Sequence, residues 1–124
     1  MSVDTARAAA ERFAKVFAGA EVEKLAVAFL GSEGQIIDLH VRDGSLHAEI
    51  DLPIRDIMAE ALTLGAAGLI LAHNHPSGDP TPSREDIHAT RMLAAAGRGL
   101  GIRLVDHLIF AGGGCSSFVG LGLL

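Results

Sequence analysis

The stretch AHNHPSGDPTPSRED, residues 72–86, decides how the chain is organised. It follows an apolar run from Ala66 to Ala72, which is typical of a central strand covered on both faces. Proline, serine and glycine then predict a turn-rich loop. Ser83, followed three residues later by Asp86, resembles a capping box and predicts the start of a helix. A buried strand, a loop and a helix in this order favour an α/β fold.

Hydrophobic spacing and turn signals predict the remaining elements. Helices are predicted over residues 4–18, between Pro53 and Gly65, and from Arg84 to about Ala96, where Gly97 stops the last one. Strands are predicted over residues 25–30, 35–41, 45–52, 67–72 and 102–110, and a glycine-rich turn at 112–114 leads to an apolar tail. We therefore expect one α/β domain over residues 1–124 with a mixed sheet, in which residues 1–20 form an N-terminal helix.

Composition narrows the classes of protein to consider. Apolar residues make up 49% of the 124-residue chain, enough to build a core. The formal net charge of −5 and the absence of Trp and Tyr argue against tight nucleic-acid binding. The single cysteine, Cys115, excludes a disulfide framework and a zinc site made of cysteines, which favours a cytoplasmic location. No apolar segment has the length of a membrane span, so we expect no membrane association.

His73 and His75 predict a metal site at the end of the apolar strand. Residues two apart in an extended chain point to the same side, so both imidazoles can hold one ion. The loop then brings Asp86 back over the strand end, and two nitrogens, one carboxylate and a water would complete a catalytic zinc site. Alternatively, Ser83 and Asp86 form only a helix cap, and the histidines form only hydrogen bonds. The joint pattern favours the metal site.

The spacing is that of a known motif. His73-x-His75, seven residues that begin with Pro76, Ser83, two residues and Asp86 match the JAMM metalloprotease motif of JAB/MPN domains. Three segments resemble the RadC branch of that family: HNHPSGDPTPS, Leu100-Gly101-Ile102 and Val105-Asp106-His107-Leu108-Ile109. This resemblance implies a cytidine-deaminase-like, three-layer α/β/α fold, a bound Zn²⁺ and a hydrolase that uses water activated by the metal to attack an amide carbonyl.

The resemblance also implies roles for further residues. A glutamate at the edge of the first strand acts as general base in the family, and Glu23 takes that position here, with Glu21 as the alternative. Ser83 would bind the oxyanion, and the substrate would be a peptide or isopeptide. The chain departs from the RadC pattern at Gly31, where an acid is common, and it has no helix-hairpin-helix segment. Both departures weaken a role on DNA.

Two other functions are alternatives to the hydrolase. Zinc nucleobase deamination requires a His-x-Glu and a Pro-Cys-x-x-Cys pair, which one cysteine cannot supply. A non-catalytic accessory module of DNA repair is the alternative from another class, and a DNA-binding assay beside metal analysis would distinguish it. Asp106 and His107 could form either a pair that supports the metal ligands or a structural pair, and the structural pair is favoured.

Overall fold

The computed structural model describes residues 3–43 and 52–124. Its elements in chain order are α1 (Val3–Phe17), β1 (Lys24–Leu30), β2 (Ile36–Asp43), α2 (Ile54–Leu64), β3 (Gly68–Asn74), α3 (Arg84–Gly99), β4 (Arg103–Ala111) and β5 (Gly114–Ser117). The predicted strand over 45–52 falls, apart from Leu52, outside the described residues.

The described strands form one mixed sheet in the order β2-β1-β3-β4-β5. β3 and β4 are parallel and are connected through α3, while the other neighbouring pairs are antiparallel. All of β3 is buried, as its apolar sequence predicts for a central strand. The predicted mixed α/β sheet is therefore confirmed.

Helices cover both faces of the sheet and create two cores. Val27, Phe29 and Leu71 point to one face, where they pack with residues of α2 and α3 such as Ile57 and Leu93. The opposite face carries small side chains, Ala26, Ala28 and Ala72 among them, and packs against Ala9, Phe13 and Phe17 of α1. The alternation of side chains along β1 and β3 separates the two cores, and the three-layer α/β/α arrangement is confirmed.

The third helix continues beyond the predicted stop at Gly97. α3 runs to Gly99, and the glycine that ends it is Gly101, which has a φ of 72° and donates its backbone N–H to the Arg98 carbonyl. A Cβ atom at Gly97 would lie 2.2 Å from the backbone oxygen of Ile102, so only glycine allows this approach. Ile102 also donates its backbone N–H to the Gly97 carbonyl at 2.8 Å. Among the helices described, none combines the length and apolar character needed to cross a bilayer.

The fifth strand was not predicted. Gly114–Ser117 shows no alternation of apolar and polar residues, and it forms a strand because it folds back on β4. The glycine-rich turn was predicted correctly, and Gly112 there has a φ of 59°, which favours glycine. Phe110 pairs with Cys115 in the resulting hairpin, and β5 is the edge strand next to β4.

Candidate metal centre

The two histidines of the loop lie at the carboxyl end of the central strand. His73 belongs to β3 and is 2% exposed, while His75 follows the strand and is half-buried. The His75 backbone N–H donates to the carbonyl of Phe110 at 2.8 Å, which holds the loop against β4. The Nδ1 atom of His75 lies 2.8 Å from the carbonyl oxygen of Asp79. Because a carbonyl only accepts, Nδ1 carries the proton and Nε2 is left to face the site.

Ser83 and Asp86 form the capping box that the sequence predicted. The Ser83 backbone N–H donates to Asp86 Oδ2 at 2.8 Å, and the Asp86 backbone N–H donates to Ser83 Oγ at 3.0 Å. This reciprocal cap fixes the first turn of α3 and leaves the carboxylate 3% exposed. The cap and the candidate site are therefore compatible, since the cap orients the same carboxylate that reaches the histidines.

Three ligand atoms from these residues converge. His73 Nε2 lies 2.9 Å from His75 Nε2 and 3.3 Å from Asp86 Oδ1, and His75 Nε2 lies 3.1 Å from Asp86 Oδ2. Ligand atoms of the three residues all fall within 4.8 Å of one another. Two imidazole nitrogens and a carboxylate oxygen are ligands that zinc and similar divalent ions accept. The three side chains could therefore supply three ligands to one metal ion.

Asp86 keeps its negative charge in this environment. Burial alone would raise the pKa of the carboxyl, but when His73 is protonated its hydrogen bond and positive charge, together with the Ser83 bonds, outweigh burial. They hold this pKa well below its ordinary value of 3.8. The ligand set thus includes a permanent anion at neutral pH.

Glu23 lies in the same cleft as the three ligand residues. The ladder of β1 and β3 ends with Leu25 paired to His73, and Glu23 precedes the first residue of β1. A cavity of about 280 Å³ opens there, lined by Glu23, His73, His75, Pro76, Ser77, Ser83, Glu85 and Asp86. Glu23 is half-buried, whereas Glu21 is exposed two residues further from the sheet. The structure thus brings together all five residues predicted for the site.

Asn74, between the two histidines, anchors the backbone on both sides of Glu23. Its Oδ1 accepts the Lys24 backbone N–H at 2.7 Å, and its Nδ2 donates to the Val22 carbonyl at 2.9 Å. Asn74 is 5% exposed, so these bonds are shielded from water. Sequence analysis gave this side chain no role.

His107 and Thr90 lie behind His73; sequence reasoning raised a place for His107 beside the ligands only as the less favoured alternative and gave Thr90 no role. His107 Nε2 is 2.7 Å from His73 Nδ1, and His107 Nδ1 is 2.6 Å from Thr90 Oγ1. Burial, assisted by the neighbouring His73, lowers the pKa of His107 well below its ordinary value of 6.5. One signal was available, because His107 is a polar residue inside the otherwise apolar end of a predicted strand.

The interpretation of Asp106 and His107 as a structural pair was incomplete. Asp106 Oδ1 accepts the His107 backbone N–H at 2.7 Å, but the two side chains have different partners. Asp106 Oδ2 accepts the Ser117 hydroxyl at 2.6 Å, and Oδ1 accepts the Val119 backbone N–H at 3.1 Å. Neighbouring residues in a strand face opposite sides, so Asp106 fastens the C-terminal turn while His107 reaches the metal centre.

A larger cleft adjoins this site. Its volume is about 480 Å³, and it shares His75 and Pro76 with the cavity that contains Glu23. Its wall consists mainly of alanine and glycine residues from α1 and from the β4–β5 turn, with Phe17 and Phe110 also lining it. The ring centroids of these two phenylalanines are 5.2 Å apart. The candidate metal centre is therefore open to a neighbouring cleft whose lining, among residues 3–43 and 52–124, includes no Asp, Glu, Lys or Arg.

Comparison with known proteins agrees with the class that the fold and site define, a JAB-type domain with a candidate metal centre. The family described as "RadC-like JAB domain" matches residues 3–123. The chain belongs to this family. It is 45% identical over 119 residues to the UPF0758 protein STH371 of Symbiobacterium thermophilum, covering 95% of this chain and 50% of that protein.

A second relative gives the same picture. The chain is 48% identical over 87 residues to the UPF0758 protein GSU0386 of Geobacter sulfurreducens, covering 70% of this chain and 38% of that protein. The chain thus spans half or less of the length of these relatives. The family membership supports a JAB-type site at His73, His75 and Asp86.

Proposed function

We propose that this domain is a zinc-dependent hydrolase that cleaves an amide bond in a peptide or isopeptide. The observation that carries the proposal is the convergence of His73 Nε2, His75 Nε2 and an Asp86 oxygen in a cleft that also contains a second carboxylate and a hydroxyl. A catalytic zinc site needs three protein ligands and an open position, and the cleft provides space beside the ligands. The residues would hold Zn²⁺ through these three atoms.

The chemistry divides between the ion and the chain. When bound, zinc lowers the pKa of a coordinated water and polarises a carbonyl oxygen. Glu23 serves as the general base, because its half-buried carboxylate lines the same cavity as His75 and Asp86. It accepts a proton from the attacking water and later donates that proton to the nitrogen of the leaving amine.

Ser83 supplies a hydrogen-bond donor for the oxyanion. In the capping box its oxygen accepts the Asp86 backbone N–H, which uses a lone pair and fixes the position of Oγ. The hydroxyl hydrogen is then free to be donated into the cavity, which Ser83 also lines. A single donor of this kind typically contributes about 10²–10³ in rate.

The substrate is proposed to lie across the cavity and the adjoining cleft. The two share His75 and Pro76, so a chain bound in the larger cleft would reach the ligand residues. The described part of that lining is rich in alanine and glycine and includes no Asp, Glu, Lys or Arg, which suits small, uncharged residues next to the scissile bond.

The proposal is tested by hydrolysis in heavy-oxygen water. The zinc-loaded protein is incubated with a mixture of peptides and lysine-linked isopeptides, and the products are analysed by mass spectrometry. Cleavage should place one heavy oxygen in each new carboxyl group, stop after chelation and return with zinc. The Glu23→Gln protein is the matched control and should give almost no labelled product. Equal product from the wild type, the chelated protein and Glu23→Gln would contradict the proposal.

A further inference from the structure

A chain of three short hydrogen bonds runs from Asp86 to the far side of His73. Thr90 Oγ1 lies 2.6 Å from the Asp86 carbonyl oxygen and 2.6 Å from His107 Nδ1. His107 Nε2 in turn lies 2.7 Å from His73 Nδ1. Thr90, His107 and His73 are at most 2% exposed, so water does not compete for these bonds.

The position of the first proton follows from the Asp86 carbonyl. A carbonyl oxygen can only accept, so the single hydroxyl hydrogen of Thr90 lies between Thr90 Oγ1 and the Asp86 oxygen. Threonine often makes this bond to the carbonyl four residues earlier in a helix. Having committed its hydrogen, the Thr90 hydroxyl can only accept from His107. The Nδ1 atom of His107 therefore carries a proton.

The second proton follows from the burial of His107. This side chain is fully buried and stacked on Phe118 at a centroid distance of 4.4 Å. Its nitrogens bond to a hydroxyl and an imidazole, neither of which compensates a positive charge. A neutral imidazole with its proton on Nδ1 has an acceptor at Nε2. His73 must therefore donate from its own Nδ1.

We propose that Thr90 and His107 are positioning residues that set the tautomer of His73, so that its Nε2 presents a lone pair to the metal. The Asp79 carbonyl does the same for His75 through Nδ1. Two unprotonated nitrogens 2.9 Å apart then face the Asp86 carboxylate. Their lone pairs and the carboxylate charge repel one another, and a bound cation would remove this repulsion. The inference rests on the proposed function only in taking zinc as that cation.

The tautomer is read directly by nitrogen NMR on protein labelled in its histidines, without metal. The spectrum is recorded at about pH 8, above the ordinary histidine pKa of about 6.5. His73 should show a protonated Nδ1 and an unprotonated Nε2, and His107 should show the same tautomer. Single histidine substitutions elsewhere in the chain assign the signals. A proton on Nε2 of His73 in the wild type would overturn the inference, whatever the zinc affinity.

Two substitutions of Thr90 test whether its hydroxyl sets the tautomer of His73. Thr90→Val keeps the branched shape but removes the hydroxyl, so His73 should populate both tautomers and zinc affinity should fall about 10–100-fold. Thr90→Ser keeps the hydroxyl and should restore both properties. Unchanged tautomers and unchanged zinc affinity in Thr90→Val would refute the role of Thr90, and the wild-type spectrum decides the tautomer even if this variant fails to fold.

The same experiment separates this inference from the proposed function. A wild-type protein with the expected His73 tautomer that binds no zinc at His73, His75 and Asp86 would support the proton arrangement and contradict the hydrolase. In the other outcome, the protein binds zinc at these residues, but His73 carries its proton on Nδ1 only after the metal is added. This result would overturn the inference and remain compatible with the proposed hydrolase.

Discussion

Leu25 lies directly opposite His73 in the antiparallel ladder of β1 and β3. This register continues into the side-chain bond between Asn74 and the Lys24 backbone, at 2.7 Å. Glu23 lies between the two backbone groups that Asn74 binds, and it lines the cavity that His75 and Asp86 also line. Strand pairing and the Asn74 side chain together bring an acid from a distant part of the chain to the candidate metal centre.

Glu23→Gln should retain zinc but lose nearly all turnover. Glutamine keeps the size of the side chain but cannot accept the proton of the attacking water at neutral pH. Glu21→Gln is the matched control, because Glu21 is exposed and precedes Glu23 by two residues. It should leave turnover and zinc content close to those of the wild type, as measured by the heavy-oxygen assay and elemental analysis.

The opposite result for the two variants would assign the general base to Glu21 instead of Glu23. If Glu21→Gln loses turnover while Glu23→Gln keeps it, the register of the base is wrong and the mechanism stands. If both variants keep full turnover, neither glutamate is the general base.

Asn74→Ala should lower both stability and turnover while zinc remains bound. The substitution leaves the Lys24 N–H and the Val22 carbonyl without their buried partner, which costs about 1–3 kcal/mol for an unsatisfied group. It also releases the backbone on both sides of Glu23. Chemical denaturation and zinc analysis check the prediction, and a variant with wild-type stability and turnover would contradict it.

Ser83→Ala should retain zinc and lose about 10²–10³ in turnover, since one oxyanion donor is removed. It should also cost about 1 kcal/mol of unfolding free energy, because the cap on the Asp86 backbone N–H is lost. Ser32→Ala, an exposed serine in the turn after β1, serves as the control. A loss of stability without any loss of turnover would show that Ser83 is only a helix cap.

The acid sensitivity of the metal-free protein should depend on Asp86. The pKa of its carboxyl is lowered in the folded protein from an ordinary value of 3.8, so the unfolded chain binds the proton more readily. The resulting stabilisation is present above that ordinary value and is lost as pH falls toward the lower folded value. Unfolding free energies measured across this range should fall less steeply for Asp86→Asn, and an equal slope in both proteins would argue against the ionised carboxylate.

Local sequence was sufficient to predict that the three candidate ligands converge, and insufficient to predict the groups that hold them. His73, His75 and Asp86 were predictable because strand alternation and a capping box fix their directions within fifteen residues. Thr90 and His107 were not, because their contact joins α3 to β4 and depends on the packing of the helix over the sheet. Gly97 was misread because the glycine that ends α3 is Gly101, which has a φ of 72° and donates its backbone N–H to the Arg98 carbonyl.

The fifth strand shows a second limit of local patterns. The residues of β5 have little strand propensity of their own, and the pairing with β4 decides their conformation. Glu23 was predictable only through the family resemblance, because sequence alone does not give the register between β1 and β3.

The most direct test of the account is the zinc content of the purified protein, measured by elemental analysis and by competition with a chelator. The wild type should hold about one zinc per chain, and the double substitution His73→Ala and His75→Ala should hold none. His88→Ala, an exposed histidine on α3, should bind zinc as the wild type does. One equivalent of zinc bound by the double variant with unchanged affinity would place the metal elsewhere and contradict the central claim.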